Sequence, residues 1–299
     1  MFKKISLGIL ALMIGIFASA CASSEAIPQA SASEKAAASL NAAISVVSRE
    51  DGSGTRGAFI ELFGIEEKNE DGSKTDRTTQ EAIIANKTDI MLSNIAGSAE
   101  SIGYVSLGSL NDTVKALEID SAAASVDNIK NGSYKIARPF NIATKGAPSP
   151  LSQDFIDFIL SQEGQAVVAA SYISIDDAAP AFVSAKPEGK ITVAGSSSVT
   201  PIMEKLKEAY EAINPQGSIE IQQSDSSTGL QAAIDGTCHI AMASRELKES
   251  ETAELTGMQI ALDGIAVIVN RENPINALTG EQVKAIFTGE IADWAALSN

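Results

Sequence analysis

The 299-residue chain is poor in the residues that most chemistry needs: it holds two cysteines, one histidine and one tryptophan, and only 5% of it is aromatic. Two cysteines, Cys21 and Cys238, do not make the dense disulfide framework that staples small secreted folds. The single histidine, His239, stands beside Cys238 at the head of the apolar run HIAMAS. There it reads as a packed or strand-edge side chain before it reads as a catalytic base or metal ligand. Positive charge is also scarce, with 22 Lys and Arg against 38 Asp and Glu and a formal net charge of -16. Long-range attraction to nucleic acid or to an anionic membrane surface is therefore excluded. A small anion is not, because fixed local dipoles outweigh a distant field inside a closed cleft. The turn GSGTRG lacks the lysine and following hydroxyl residue of a P-loop, and no G-x-S-x-G elbow is present. No catalytic residue, metal site or cofactor is expected.

Long apolar runs are missing too. ISLGILALMIGIF is too short to span a bilayer comfortably as a mature helix. It follows the basic MFKK and precedes ASAC, an order similar to a bacterial lipoprotein signal. Residues 1–20 are accordingly expected to be removed, with Cys21 lipidated and the protein anchored on the extracytoplasmic side of the cell membrane. A cleaved secretory signal with an incidental cysteine is the alternative. Residues 21–42, small and polar, read as a flexible tether.

What the chain does contain is a steady alternation of short apolar runs and helical patterns, the mark of an α/β protein. Strands are expected over residues 44–48, 102–107, 190–195, 218–223, 239–244 and 264–270. Helices are expected in two pieces over SPLSQDFIDFILSQEGQAVVAAS, and over TPIMEKLKEAYEAI. In the latter, Ile202, Leu206, Tyr210 and Ile213 share one face, which should be core, and Pro201 suits the first turn.

A local grammar recurs: a strand, a turn rich in Ser, Thr and Gly, then a helix. It occurs at SREDGSGTRGAF, AGSSSVTPIM and QSDSSTGLQAAI, and less cleanly at MASRELKE. Unpaired N–H groups at a helix start suit an anion, hydroxyls add donors, and glycine allows close approach. For any one turn, a cap that merely starts a helix is the simpler reading. Several together, one of them carrying Arg49 with its forked guanidinium, point to an oxyanion. Asp51 either orients that guanidinium or forms the turn.

Taken together, SREDGSGTRGAF, AGSSSVTPIMEKL, SDSSTGLQAAIDG, MASRELK and ALDGIAVIVNRENP closely resemble the substrate-binding lipoproteins of bacterial phosphate ABC importers, from about residue 44 to the end. The resemblance implies a type II periplasmic-binding-protein fold of two α/β lobes. Its function would be to bind inorganic phosphate between the lobes and deliver it to a permease and its ATPase, as a monomer. The order of the motifs is unusual for that family, because KITVAGSSSVTP ordinarily comes first and FTGEIADW ordinarily leads on to SREDGSGTRG. The chain is therefore expected to be a circular permutant whose present ends are neighbours. One lobe would comprise residues 43–137 with 271–299, the other residues 138–270, with crossovers near ARPFNIAT and GIAVIVNRENP.

Carried over by position, the resemblance implies phosphate ligands at Arg49, Ser53, Gly54 and Thr55 in one lobe, with Asp51 in support. In the other lobe it implies Ser198, the N–H of Val199, Ser226 and Ser244. Where many relatives carry a proton-accepting aspartate after the AS pair, this chain has Arg245, which donates only. That leaves selectivity against sulfate open, with Asp225 a candidate acceptor or a turn residue. Binding of another tetrahedral oxyanion, a non-transport sensing or adhesion lipoprotein, and a phosphatase are the competing readings.

Overall fold

The computed structural model describes residues 42–71 and 73–297. The expected signal peptide, the Cys21 anchor and all of the expected tether except Ala42 lie outside the described residues.

The expected strands form, and they join in one nine-stranded sheet. Its order is Gly217–Ser224, Gly189–Ser196, Ile240–Ala243, Ala137–Thr144, Thr256–Asn270, Ser101–Ser106, Ser45–Arg49 and Ile83–Ala85, with Val114–Ala116 also on Thr256–Asn270. The outer strands run parallel within each end of the sheet. Strands buried on both faces read as near-continuous apolar runs, which is why SVVSR and IGYVS stood out in the sequence. Short edge strands such as Ile83–Ala85 carry no such signal.

Two cores sit along this sheet. In one lobe the helices Pro150–Ile159, Gln162–Ala169 and Thr200–Ile213 press Phe155, Met203, Leu206 and Tyr210 onto Phe140, Ile142 and Val193. In the other, Phe59, Tyr104, Val267, Phe287 and Trp294 pack together. Met91, Ile95 and Ile268 cover the opposite face of that sheet. The helix Thr200–Ile213 has the expected bounds, but its face is corrected at one position: Ile213 is 37% exposed and Met203 is buried in its place. Cys238 is free and buried, and burial pushes its thiol up to about 11. His239 is exposed just before the interior strand Ile240–Ala243, and its Nδ1 accepts the Thr192 N–H at 3.0 Å.

The ends of the folded part are neighbours, as expected of a permuted order. Ile44 N–H donates to the Ala292 carbonyl at 2.8 Å, and Trp294 N–H donates to the Ala42 carbonyl at 3.1 Å.

The crossovers are Ala137–Thr144 and Thr256–Asn270, antiparallel partners from Thr144 opposite Thr256 to Ala137 opposite Gly264. Beyond Gly264 the longer strand pairs with Ser101–Ser106 instead. The expected lobe boundary at residue 270 therefore moves to about 263, because residues 265–269 pair and pack with the first lobe. At this junction Arg138 Nη2 donates to Asp263 Oδ2 at 3.1 Å, with the side chains 2% and 1% exposed. The guanidinium also lies 5.3 Å from the Phe140 ring centroid, while its Nε and Nη1 have no hydrogen-bond partner among the described residues. Burial pushes Asp263 up to about 6 against the pull of Arg138, and burial likewise lowers Arg138.

A buried pair of this kind costs more to break than to replace. Removing either charge by Arg138→Ala or Asp263→Ala should lower unfolding free energy in urea by about 3–5 kcal/mol, while Arg138→Met with Asp263→Leu should stay within about 1 kcal/mol of the parent. Additive losses in the double variant would contradict this. Because the Asp263 pKa is raised in the folded state, its contribution is full below the unfolded value and is lost as pH rises through about 6. The stability gap between the parent and Asp263→Asn should therefore narrow from pH 4 to pH 6 in urea unfolding, and a widening gap would overturn the assignment.

Candidate functional site

The strand Ser45–Arg49 ends at a fixed point. Tyr104, stacked on Phe59 with centroids 3.9 Å apart, presents its hydroxyl oxygen to Arg49 N–H at 3.1 Å and to the Ser48 hydroxyl at 2.9 Å. From there the Arg49 side chain, 3% exposed, enters the seam between the lobes. Its Nε and Nη2 donate to Glu50 Oε2 and Oε1 at 2.8 and 2.7 Å, a two-pronged pair. Nε also reaches the Ala85 carbonyl at 3.2 Å. Nη1 donates to the Thr88 hydroxyl at 3.3 Å, and Nη2 donates across the seam to Ser197 Oγ at 3.0 Å.

Around that guanidinium the two lobes meet through hydroxyls. Thr55 Oγ1 and Ser198 Oγ are 2.8 Å apart, and Thr88 Oγ1 lies 3.1 Å from Ser197 Oγ and 3.4 Å from Ser198 Oγ. Next to them, the Ser196 hydroxyl donates to Ser244 Oγ at 3.0 Å, and Ser244 N–H donates to Ser226 Oγ at 3.1 Å. The helices Gly54–Leu62, Thr88–Ala96, Thr200–Ile213 and Ser226–Ile234 all begin at this cluster or within two residues of it. Four helix starts bring partial positive charge and first-turn N–H groups to one buried place, the environment a small anion requires.

Close approach of the lobes rests on glycine. Ser227 N–H donates to the Gly52 carbonyl across the seam at 3.2 Å. A Cβ on Gly52 would lie 2.2 Å from Asp225 Oδ1, and one on Gly54 would lie 2.5 Å from Ser226 Oγ and 2.8 Å from Ser244 Oγ.

The expected ligands divide into those the seam collects and those it does not. Arg49, Gly54, Thr55, Ser198, Ser226 and Ser244 lie together in the seam. Ser53 is buried, but its hydroxyl accepts Arg56 N–H at 3.3 Å as the cap of its own helix. Val199 is a correction: its N–H donates back to the Ser196 carbonyl at 3.0 Å and closes the turn. Asp51 is a second correction. It is 96% exposed and pairs with Arg56 at 3.1 Å, and Glu50 holds Arg49 instead. Asp225 caps its helix, accepting Thr228 N–H at 2.9 Å and the Thr228 hydroxyl at 2.6 Å.

Arg245 turns away from the hydroxyls. It grips Glu251 at 2.7 and 2.8 Å and donates to Ser227 Oγ at 3.1 Å. Burial pushes Glu251 up, but the Arg245 guanidinium and the Lys248 N–H outweigh it and hold the carboxyl below its ordinary value. Arg245 thus lines a separate interlobe cleft of about 700 Å³, together with Lys74, Arg138 and Lys248.

Three residues of the cluster were not anticipated: Glu50, Thr88 and Ser197. Ser197 sits in the same triple serine as Ser198, so the motif pointed to it without choosing it. Thr88 opens a helix whose cap position, Lys87, makes no side-chain cap bond, so the usual start signal is missing.

The chain has clear relatives among known proteins. The chain matches the PBP superfamily domain over residues 27–163 and 181–299. It is 53% identical over 272 residues to the phosphate-binding protein PstS 2 of Streptococcus agalactiae serotype V, covering 90% of this chain and 92% of the relative. To the phosphate-binding protein PstS 2 of Streptococcus pneumoniae serotype 4 it is 43% identical over 257 residues, covering 86% and 88%. The crystal structure of a phosphate-binding protein of a phosphate ABC transporter from Streptococcus pneumoniae TIGR4 is 45% identical, with a TM-score of 0.67 over 85% of this chain and 99% of that one.

The glycine contact offers a direct check. Gly54→Ala should hold the lobes apart and raise the radius of gyration measured by small-angle scattering, and an unchanged radius would show that the seam tolerates a side chain there.

Proposed function

The chain belongs to the PBP superfamily and, within it, to the phosphate-binding proteins of the PstS type; on that premise we propose that it binds inorganic phosphate outside the cytoplasm and delivers it to an ABC permease and its ATPase. The observation that carries the reading is the seam itself: one buried arginine, with hydroxyls from both lobes converging on it. A tetrahedral anion entering between Arg49 Nη2, Thr55, Thr88, Ser197 and Ser198 replaces the direct hydroxyl contacts with contacts to its own oxygens. It thereby ties one lobe to the other. Attraction comes from the guanidinium, the hydroxyls and the helix starts, acting at short range in spite of the formal net charge of -16.

Release requires the seam to open. The crossovers at Ala137–Thr144 and Thr256–Asn270 are the connections about which a hinge acts, with the Arg138–Asp263 pair one residue from the Ala137 end of their pairing. The cycle is binding and release without turnover. The protein works as a monomer, held to the membrane by a lipid on Cys21 after loss of residues 1–20; the basic start, the apolar run and the small residues before Cys21 support that part. The permuted order of lobes is supported by the motif order and by the adjacent ends near residues 44 and 292.

Calorimetric titration of the protein with phosphate should give saturable binding. Arg49→Ala should weaken it by about 2–5 kcal/mol, the cost of losing a desolvated charge contact. Thr88→Val, which removes one hydroxyl and keeps the shape, should cost about 1 kcal/mol. An unaltered affinity in Arg49→Ala would remove the arginine from the site, and a wild type that binds no phosphate would overturn the function.

A further inference from the structure

We propose that the polar cluster of Ser106, Ser109, Arg138 and Tyr172 at the lobe junction opposes closure: its groups lack partners when the lobes meet and gain water when they part, which limits how tightly phosphate is held. The inference rests on the phosphate reading above and adds to it the residues that favour the open form.

Buried polar side-chain atoms are nearly always paired, so the exceptions are informative. Among the described residues five such atoms have no partner: Ser106 Oγ, Ser109 Oγ, Arg138 Nε and Nη1, and the Tyr172 hydroxyl oxygen. They share one neighbourhood. The Tyr172 ring packs on Phe140 with centroids 5.4 Å apart, and the Arg138 guanidinium lies 5.3 Å from the centroid of the same Phe140 ring. The Ser106 hydroxyl lies beside both Tyr172 and Asp263, where burial raises the pKa of each and the hydroxyl opposes that rise. Ser109 ends the turn Leu107–Ser109, whose Gly108 N–H approaches Asp263 Oδ1 at 3.5 Å.

The two lobes supply opposite sides of this cluster. Ser106 and the turn Leu107–Ser109 follow the strand Ser101–Ser106 of one lobe. Tyr172 belongs to the other, held there by Phe140 and by the pairing of Ile173 with Leu262. The two sides touch closely: a Cβ on Gly108 would lie 2.1 Å from Tyr172 Cζ and 2.4 Å from its hydroxyl oxygen. The same turn lies against the helix Thr200–Ile213 of the Tyr172 lobe. Contact between the lobes is thus what shuts the cluster from water, and parting them breaks the seal.

Energetics give the direction. Asp263 takes Arg138 Nη2 at 3.1 Å and only a long contact from Gly108, so the remaining donors stay unserved. A buried hydroxyl without a partner bears its desolvation cost in full, a factor of roughly 5 or more in an equilibrium. The closed form alone bears it, because water reaches the hydroxyl in the open one. An anion that closes the lobes has to offset that cost, and its apparent affinity falls accordingly. For a protein that hands its cargo on, the same cost hastens release.

The test is phosphate affinity by calorimetry, with the urea midpoint of the phosphate-free protein measured beside it, on the wild type, Tyr172→Phe and Tyr210→Phe. Tyr172→Phe removes an unpartnered hydroxyl and keeps the ring, so it should tighten phosphate by about 5-fold or more and leave the phosphate-free midpoint unchanged. Tyr210→Phe is the control, since that buried hydroxyl donates to Asp154 Oδ2 at 2.7 Å and lies within one lobe. It should lower the midpoint and leave the affinity alone. An affinity of Tyr172→Phe that is weaker than, or within about 2-fold of, the wild type overturns the proposal. A raised phosphate-free midpoint with that unchanged affinity would further show that the hydroxyl lacks a partner in both forms. Equal tightening in Tyr210→Phe overturns it too. Should Tyr172→Phe fail to fold, Ser109→Ala takes its place with the same two outcomes. A wild type that binds no phosphate ends the functional reading and this inference together, whereas phosphate binding with an unaltered affinity in Tyr172→Phe ends only this one.

Discussion

A guanidinium that is 3% exposed has to be paired, and most of the seam follows from how Arg49 is paired. Glu50 neutralises one edge, the Ala85 carbonyl takes a further bond, and the remaining donors reach Thr88 and, across the seam, Ser197. Since Arg49 belongs to one lobe and Ser197 to the other, its hydrogen bonds are satisfied within the protein only when the lobes meet. An oxyanion serves the same donors with a full negative charge. Binding and lobe closure are thus two ways of meeting one requirement, the satisfaction of a buried cation.

The parts of this design differ in how plainly the sequence shows them. The helix Thr200–Ile213 was legible because its apolar residues keep a helical period over fourteen positions and proline marks its start. The long strand Thr256–Asn270 was half legible: GIAVIVN is buried on both faces, whereas the preceding TGMQIALD mixes exposed and buried positions. The Arg49 turn was legible in outline, since an arginine before a glycine-rich helix start is uncommon chemistry for a plain cap. Its partner was misjudged. Asp51 has the residue type and spacing of a turn aspartate, and only the path of the backbone after Arg49 sends it to solvent and leaves Glu50 in reach.

Thr88 illustrates a different limit. The strand before it, Ile83–Ala85, is three residues long and its helix follows a lysine cap without a side-chain bond, so nothing local marks the site. The residue becomes significant only because the parallel pairing of Ile83–Ala85 with Ser45–Arg49 delivers Thr88 to the guanidinium. Functional residues placed by sheet register rather than by motif stay hidden until the strands are aligned. The same holds for the ion pair between the crossover strands, where Arg138 and Asp263 are remote in sequence and opposite in register.

Whether an oxyanion sits at the Arg49 seam is tested most directly by a crystal structure grown with arsenate, an isostere of phosphate located by its anomalous scattering. The arsenic should lie between Arg49 and the hydroxyls of Thr55, Thr88 and Ser198, with oxygens at hydrogen-bond distance, roughly 2.7–3.2 Å, from them. Arsenic found instead in the cleft beside Lys74 and Lys248, with the Arg49 seam unchanged, would contradict it.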